Sequence, residues 1–451
     1  MAPGELAATA APKAADMSIP SPAHDRLARR ESAISALARL PASDILNDHE
    51  QAILAIEEAR GLSPTPGPAR WLVVIVKATR LCNLRCVYCR SWAEGPNQTM
   101  TFDVMARSVR EALSMPNVHG VEFVWHGGEV TMLKPKVFRK FLWLQERYRQ
   151  PGQEVKNSIQ TNATHLTDEW IDFLHEFGMG VGVSIDGPPE LNDRRRLDKD
   201  GRGTSSRIAG GIARLRQAGI PHAALVVIDR EIIGAGPERL LGYLADIGLD
   251  KISFLNVLPE NDPDDPEIVK STYFTFPEYV RFLTDTFSVW WNSFRDRMEI
   301  REFRDFIQKM SVPKTSIGCL WMGNCMGRYV TLEANGDLAP CDKYRSDPGS
   351  ILGNVMHSPM ADIIRTSGYL ADAKKEASDA KTRMAPCKWF HVCNGGCPHD
   401  RHLASRFGDA VEPGRCCGGA PLLDHMARTM GRTMERAGIR AGSSGLDNPA
   451  S

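Results

Sequence analysis

WLVVIVKATRLCNLRCVYC, residues 71–89, joins an apolar run to a loop with three cysteines. The first six residues read as a β-strand, and Cys82, Cys86 and Cys89 follow almost at once in a C-x3-C-x2-C spacing. Downstream, five more strand candidates appear: VEFVW (121–125), VKNSIQ (155–160), VGVSI (181–185), AALVVI (223–228) and KISFLNV (251–257). Amphipathic stretches such as FDVMARSVREAL, KVFRKFLWLQERY and PERLLGYLADIG lie between them. Strand and helix alternating six times implies right-handed crossovers and a parallel sheet, open or curled into a partial barrel. An active site is then expected at the carboxyl ends of the strands, where the cysteine loop begins.

At 451 residues the chain exceeds one ordinary domain. Residues 1–25 are Ala- and Pro-rich and read as a mobile leader, and 26–68 as two amphipathic helices padding the next unit. The barrel is expected over 69–310 and a cysteine-rich unit over 311–425, with a C-terminal helix and tail over 426–451. The acidic, Pro-rich connector PENDPDDPE (259–267) falls within the barrel unit's last part, and Asn335-Gly336 between RYVTLE and DLAP predicts a hairpin with a type I′ turn. The 55 basic residues balance the 55 acidic ones, so charge points to neither nucleic acid nor an anionic membrane. No apolar stretch is long enough to span a bilayer, and Met1–Ala15 lacks a signal-peptide core, so a cytoplasmic location is expected. In a reducing compartment, eleven cysteines are better explained by metal ligation than by disulfides.

Three thiolates in one short loop can hold a metal centre and leave one position open for chemistry, whereas a closed four-ligand site is structural. A zinc knuckle completed by a residue such as His126 is the scaffolding alternative. With Tyr88 before the last cysteine, and with WHGGEV (125–130) after the second strand, the chain resembles the radical SAM enzymes. The resemblance implies a 4Fe-4S cluster on Cys82, Cys86 and Cys89 whose open iron binds S-adenosylmethionine. It implies further that the Gly127-Gly128 backbone approaches the methionine moiety closely and that Glu129 accepts from its ammonium. SIQTNAT (158–164) and VSIDGPPELNDRRR (183–196) extend the match, placing Asn162 and Ser184 against the cofactor and one of three arginines, Arg195 being favoured, on its carboxylate.

The other eight cysteines lie within 319–417 and resemble the SPASM extension, which binds two auxiliary 4Fe-4S clusters. The resemblance assigns Cys319, Cys325, Cys341 and Cys397 to the first. For the second, Met384 stands where a cysteine is usual, leaving Cys387, Cys393 and one of Cys416 and Cys417. That cluster has an open iron, uses both paired cysteines, or is lost. The implied fold is α/β, a partial (β/α)6 TIM-like barrel with a small cysteine-rich C-terminal iron-sulfur domain. The implied activity is radical hydrogen abstraction from a side chain of a ribosomal peptide or protein, followed by oxidation or crosslinking. The segment GPPELNDRRRLDKDGRGT resembles maturases of the cyclophane-forming kind, and that resemblance favours a cyclophane-type crosslink. Formylglycine formation of the anaerobic sulfatase-maturase kind and a small-molecule dehydrogenase are the alternatives, with a zinc-stabilised scaffold as the non-enzymatic one. Asp342, directly after Cys341, matches the position of the proposed base in anaerobic sulfatase maturases, so the resemblance makes it the expected catalytic acid-base group, with a turn-bonding role as the alternative. Implied partners are an electron donor such as flavodoxin or ferredoxin and a separate leader-binding protein.

Overall fold

The computed structural model describes residues 22–67, 71–89, 91–95, 98–257, 274–312, 317–344, 349–401 and 416–436. Most of the expected leader, the connector 259–267 and the end of the tail lie outside the described residues. Helix begins at Pro22, within the expected leader, because proline suits a first turn and Asp25 there complements the helix dipole.

The six expected strands form β1 (Trp71–Thr79), β2 (Gly120–Gly127), β3 (Glu154–Thr161), β4 (Gly180–Ser184), β5 (His222–Ile228) and β6 (Lys251–Asn256), all parallel and in chain order. Each is followed by at least one helix, the main ones being Phe102–Leu113, Pro135–Tyr148, Asp168–Glu176, Ser205–Gln217, Pro237–Asp246 and Phe276–Val289. Their apolar faces pack on the sheet. In Asp168–Glu176, for example, the Thr167 hydroxyl caps the N-terminus by accepting from the Trp170 N–H. Trp170 and Phe173 then bury edge-on against each other beside Phe138, each aromatic contributing roughly 1.5–3 kcal/mol of burial. Helices Pro22–Ala38 and Asp48–Ala59 lie outside this layer, on Pro135–Tyr148 and Phe102–Leu113. There Arg107 grips Glu57 with two bonds of 2.6 and 2.9 Å.

The sheet does not end at β1 or β6. β7 (Glu299–Ile300) adds in parallel beyond β6, and β8 (Tyr329–Leu332) pairs in parallel with β1, Val73 facing Tyr329. β9 (Asp337–Ala339) and β10 (Gly353–Asn354) continue the edge antiparallel, giving ten strands in the order β10-β9-β8-β1-β2-β3-β4-β5-β6-β7. The cysteine-rich part is thus joined to the barrel through one sheet. The β8–β9 hairpin forms where expected with a different turn. Only Gly336 of the Asn-Gly pair has positive φ (91°), and Gly336 N–H donates to the Glu333 carbonyl while Glu333 N–H donates to Asp337. A type I′ turn needs both central residues at positive φ; this is the longer loop that closes on a left-handed glycine. Helix Ala420–Arg436 packs back on Phe276–Val289. No helix among the described residues is long and apolar enough to cross a membrane.

Candidate active site

At the carboxyl ends of the strands a cavity opens between the cysteine loop and the ends of β2 to β6. Cys82, Cys86, Tyr88, Cys89, Gly127, Gly128, Glu129, Asn162, Ser184 and Asp342 all line it, far apart in sequence but gathered by the parallel topology. Two flanks hold the loop. On one, Gly128 N–H donates to the Thr79 carbonyl and Glu129 N–H to Leu81, both at 2.8 Å; on the other, Arg85 and Val87 N–H donate to Leu197 and Arg195. A Cβ on Gly127 would stand 2.1 Å from the Thr79 oxygen, and one on Gly128 2.2 Å from the Leu81 oxygen. The paired glycines make room for the chain entering the cysteine loop.

Leu84 N–H points at Cys82 Sγ and Ser91 N–H at Cys89 Sγ, each at 3.3 Å, the sort of N–H···S contact that tunes iron-sulfur centres. Burial pushes the Cys82 thiol up to about 11 and the Cys86 thiol up to about 12, so both carry protons that ligation would displace. Three half-buried thiols lining an open, partly polar cavity fit a cluster with one exposed iron. The zinc alternative asked His126 for a fourth ligand. Its Nδ1 is engaged by the Gly127 N–H at 2.8 Å and by Lys77 Nζ at 3.0 Å. Among the described residues no three His, Cys, Asp or Glu side chains converge on a single-ion site.

The Glu129 carboxylate is buried. Its Oε1 accepts from Thr131 N–H, the Thr131 hydroxyl and the Thr161 hydroxyl, while Oε2 accepts only from Asn162 N–H at 2.7 Å. A carboxylate oxygen with one such bond retains accepting capacity. Asn162 Nδ2 donates to Asn83 at 2.9 Å, tying β3's end to the cysteine loop, and the Ser184 hydroxyl accepts from Gln160 Nε2 at 2.8 Å. Arg195 does not reach the cavity wall. It is the last residue of helix Pro189–Arg195, and its guanidinium turns to the buried Asp229 at 3.0 Å and the Val227 carbonyl at 3.1 Å. Arg196, just past the helix, lines the cavity instead; Nε and Nη2 grip Asp186 at 2.9 and 3.2 Å and Nη1 faces Cys86 Sγ at 4.0 Å. Arg194 is exposed.

Asp186 organises this corner. Fully buried, it also accepts from the Tyr88 hydroxyl at 2.6 Å and from Val227 N–H. Burial would raise its carboxyl, but Arg196 and Arg195 hold it below the usual range. An Asp-Gly at the end of a strand carries a turn signal whether or not an arginine waits ten residues on.

Asp342 enters the cavity from the segment after β9. Its Oδ1 sits 2.6 Å from Nζ of Lys77, a lysine on β1 with no exposed surface. Burial pushes the Asp342 carboxyl up, yet Lys77, His126 and Arg80 more than reverse this and hold it down to about 2. His126 is held down to about 4 by burial and then by Lys77, so it is neutral at pH 7. Neighbouring Lys343 bonds Asp400 at 2.6 Å and Asn256 of β6 at 3.3 Å, bridging the cavity wall and the cysteine-rich part.

The remaining thiols fall into two groups. In Cys319, Cys325, Cys341 and Cys397 burial raises each thiol; Cys341 and Cys397 are raised further by other thiols of the set, and Cys325 lies at about 12. Cys387, Cys393, Cys416 and Cys417 form the other, with Cys417 Sγ 3.4 Å from Cys393 Sγ and Cys416 within hydrogen-bonding reach of Cys387.

Residues 76–233 match the radical SAM superfamily, and residues 319–398 match the SPASM iron-sulfur cluster-binding domain. The chain is 28% identical to the cysteine-type anaerobic sulfatase-maturating enzyme of Clostridium perfringens, over 72% of this chain and 88% of that enzyme. It is 28% identical to the serine-type enzyme of Bacteroides thetaiotaomicron, over 80% and 91%. Among solved structures, anSMEcpe with bound AdoMet and the Cp18Cys peptide superposes with a TM-score of 0.67 at 25% identity, covering 82% of this chain and 99% of that one. Streptococcus suis SuiB bound to precursor peptide SuiA reaches 0.51 at 14% identity, over 82% and 78%, a likeness of fold alone.

Proposed function

We propose that this enzyme, which carries a radical SAM domain and a SPASM domain and uses S-adenosylmethionine and iron-sulfur clusters, oxidises a cysteine or serine side chain of a protein or peptide to formylglycine. The observation that carries the reading is Asp342, an ionised carboxylate opening into the same cavity as the three-cysteine loop. Similarity to sulfatase-maturating enzymes of both the cysteine and serine types supports the substrate class. Crosslinking, favoured by the resemblance of the stretch after β4 to cyclophane-forming maturases, has less support than the similarity to sulfatase-maturating enzymes gives formylglycine formation. Within that stretch, Asp193 caps helix Ser205–Gln217 through Thr204 and Ser205 N–H, and Asp198 ties down Arg202 and Arg207.

When bound, S-adenosylmethionine and the clusters supply hydrogen abstraction and take up electrons. Cys82, Cys86 and Cys89 would hold the first cluster, and Glu129 Oε2 would orient the cofactor's ammonium. Arg196 and Tyr88, locked on Asp186, close the wall beside Cys86. Asp342 takes the proton that leaves when the substrate carbon, already one hydrogen atom short, becomes a carbonyl or thiocarbonyl. For serine the sum is loss of two hydrogens. For cysteine, water then replaces the sulfur, which leaves as hydrogen sulfide. Turnover needs a low-potential donor such as a flavodoxin or ferredoxin, and recognition of a leader by a separate protein belongs to the precursor-peptide alternative.

The test is anaerobic incubation with a sulfatase-derived cysteine peptide and its serine counterpart. An aldehyde trapped by a hydrazide, with two hydrogens lost from the serine peptide, is the expected result. Release of 5′-deoxyadenosine with no aldehyde from either peptide, alongside a crosslinked product from a precursor-type peptide, would overturn it.

A further inference from the structure

The outer thiol group contains a pair of adjacent cysteines beyond the end of the matched SPASM residues. Met384, three residues before Cys387, ends helix Gly368–Met384 with its side chain buried. Its sulfur lies against Gly395, 3.3 Å from where a Cβ there would stand. A thioether in that place is a weak ligand for iron. Across the group, Cys417 contacts Cys393, and Cys416 reaches Cys387 and receives the Gly418 N–H at 3.3 Å. Cys417 thus faces Cys393, while Cys416 lies between Cys417 and Cys387. The pair is also anchored: Gly419 fits beneath Trp321 where a Cβ would meet the ring at 3.2 Å, and Asp424, one turn into the following helix, bonds Trp389 and Lys388.

We propose that Cys416 supplies the fourth thiolate of the outer iron-sulfur centre in place of the ligand Met384 does not provide, so that Cys387, Cys393, Cys416 and Cys417 close it. The inference rests on the iron-sulfur assignment of this domain and is independent of the substrate. A centre closed by four thiolates has no iron open to an exogenous ligand, which sets its part as electron transfer.

The test compares wild type, Cys416→Ala, Met384→Cys and the double variant, each reconstituted anaerobically, by iron and sulfide content and Mössbauer spectroscopy. The Cys416→Ala variant should lose between about one and four irons per chain, or show one cluster with a distinct, solvent-accessible iron that shifts on adding cyanide. Adding Met384→Cys to it should restore wild-type iron and abolish the cyanide response, which a change due to misfolding would not do. Unchanged iron, sulfide and spectrum in Cys416→Ala overturn the inference, as does a loss that Met384→Cys fails to restore. A Cys393–Cys417 disulfide found by thiol counting in the iron-loaded protein would overturn it too. An iron-free wild type would instead remove the iron-sulfur assignment itself.

Discussion

Lys77 is the residue on which the charge balance of the cavity turns. A lysine with no exposed surface needs a counter-charge, and Asp342 at 2.6 Å supplies it. If Asp342 is the base, Asp342→Asn should leave cluster content and 5′-deoxyadenosine formation intact while product falls by roughly two or more orders of magnitude; near-normal product would remove it from the mechanism. Lys77→Met tests the pairing. Without the ammonium, burial, the largest influence on Asp342, is opposed only by weaker partners and its carboxyl rises. The basic form of a carboxylate is lost as pH falls through its pKa. The ratio of product to 5′-deoxyadenosine should therefore decline on mild acidification in Lys77→Met and stay flat in wild type, whose carboxyl is held near about 2. A flat ratio in both would separate Lys77 from Asp342. Single side chains were also where the sequence was least decisive: a run of three arginines names no winner, because the end of a seven-residue helix decides that Arg195 faces Asp229 and Arg196 faces Asp186.

At the scale of elements, the six strands were legible because their β-rich runs alternate with helical periodicity. The pairing of β8 with β1 was not, since a four-residue strand more than 250 positions away carries no local sign of its neighbour. The turn at Asn335-Gly336 differs for a similar reason: dipeptide preference marks a hairpin, while loop length is set by which residues the strands bring opposite each other. Helix Ser205–Gln217 offers a sharper test of local against tertiary demands, since it contains Gly210 and Gly211 side by side. A Cβ on Gly210 meets nothing within 4 Å, whereas one on Gly211 would stand 2.1 Å from the Ala163 carbonyl oxygen in the loop that carries Asn162. Gly210→Ala should stabilise the protein by about 0.5–1 kcal/mol through helix propensity. Gly211→Ala should destabilise it by about 1–3 kcal/mol by pushing the helix from that loop. Denaturant midpoints measured on both variants decide it; equal effects would mean that the helix does not brace the Asn162 loop.

For the whole molecule, the question is how far the three thiol groups depend on one another. One sheet joins two of them: the first group follows β1, and Cys341 follows β9, which reaches β1 through β8. Cooperative loss would be expected if the first cluster held this sheet together. Its framework argues otherwise, because β1 is buried between β2 and β8 by backbone ladders and apolar side chains such as Leu72, Val74 and Val76. The later groups have their own ties. Trp321 packs on Phe306 and its carbonyl accepts from Asn394, while Arg401 links Glu376 to the carbonyls of Gly395 and Gly396. Changing Cys82, Cys86 and Cys89 together to Ala should therefore abolish cleavage of S-adenosylmethionine under dithionite and leave most of the iron bound. Iron and sulfide analysis beside a 5′-deoxyadenosine assay reads both quantities in one sample. If the variant still cleaves the cofactor, the loop is not its site; if it loses all its iron while remaining folded by circular dichroism, the clusters are coupled through the shared sheet and the later groups are not self-supporting.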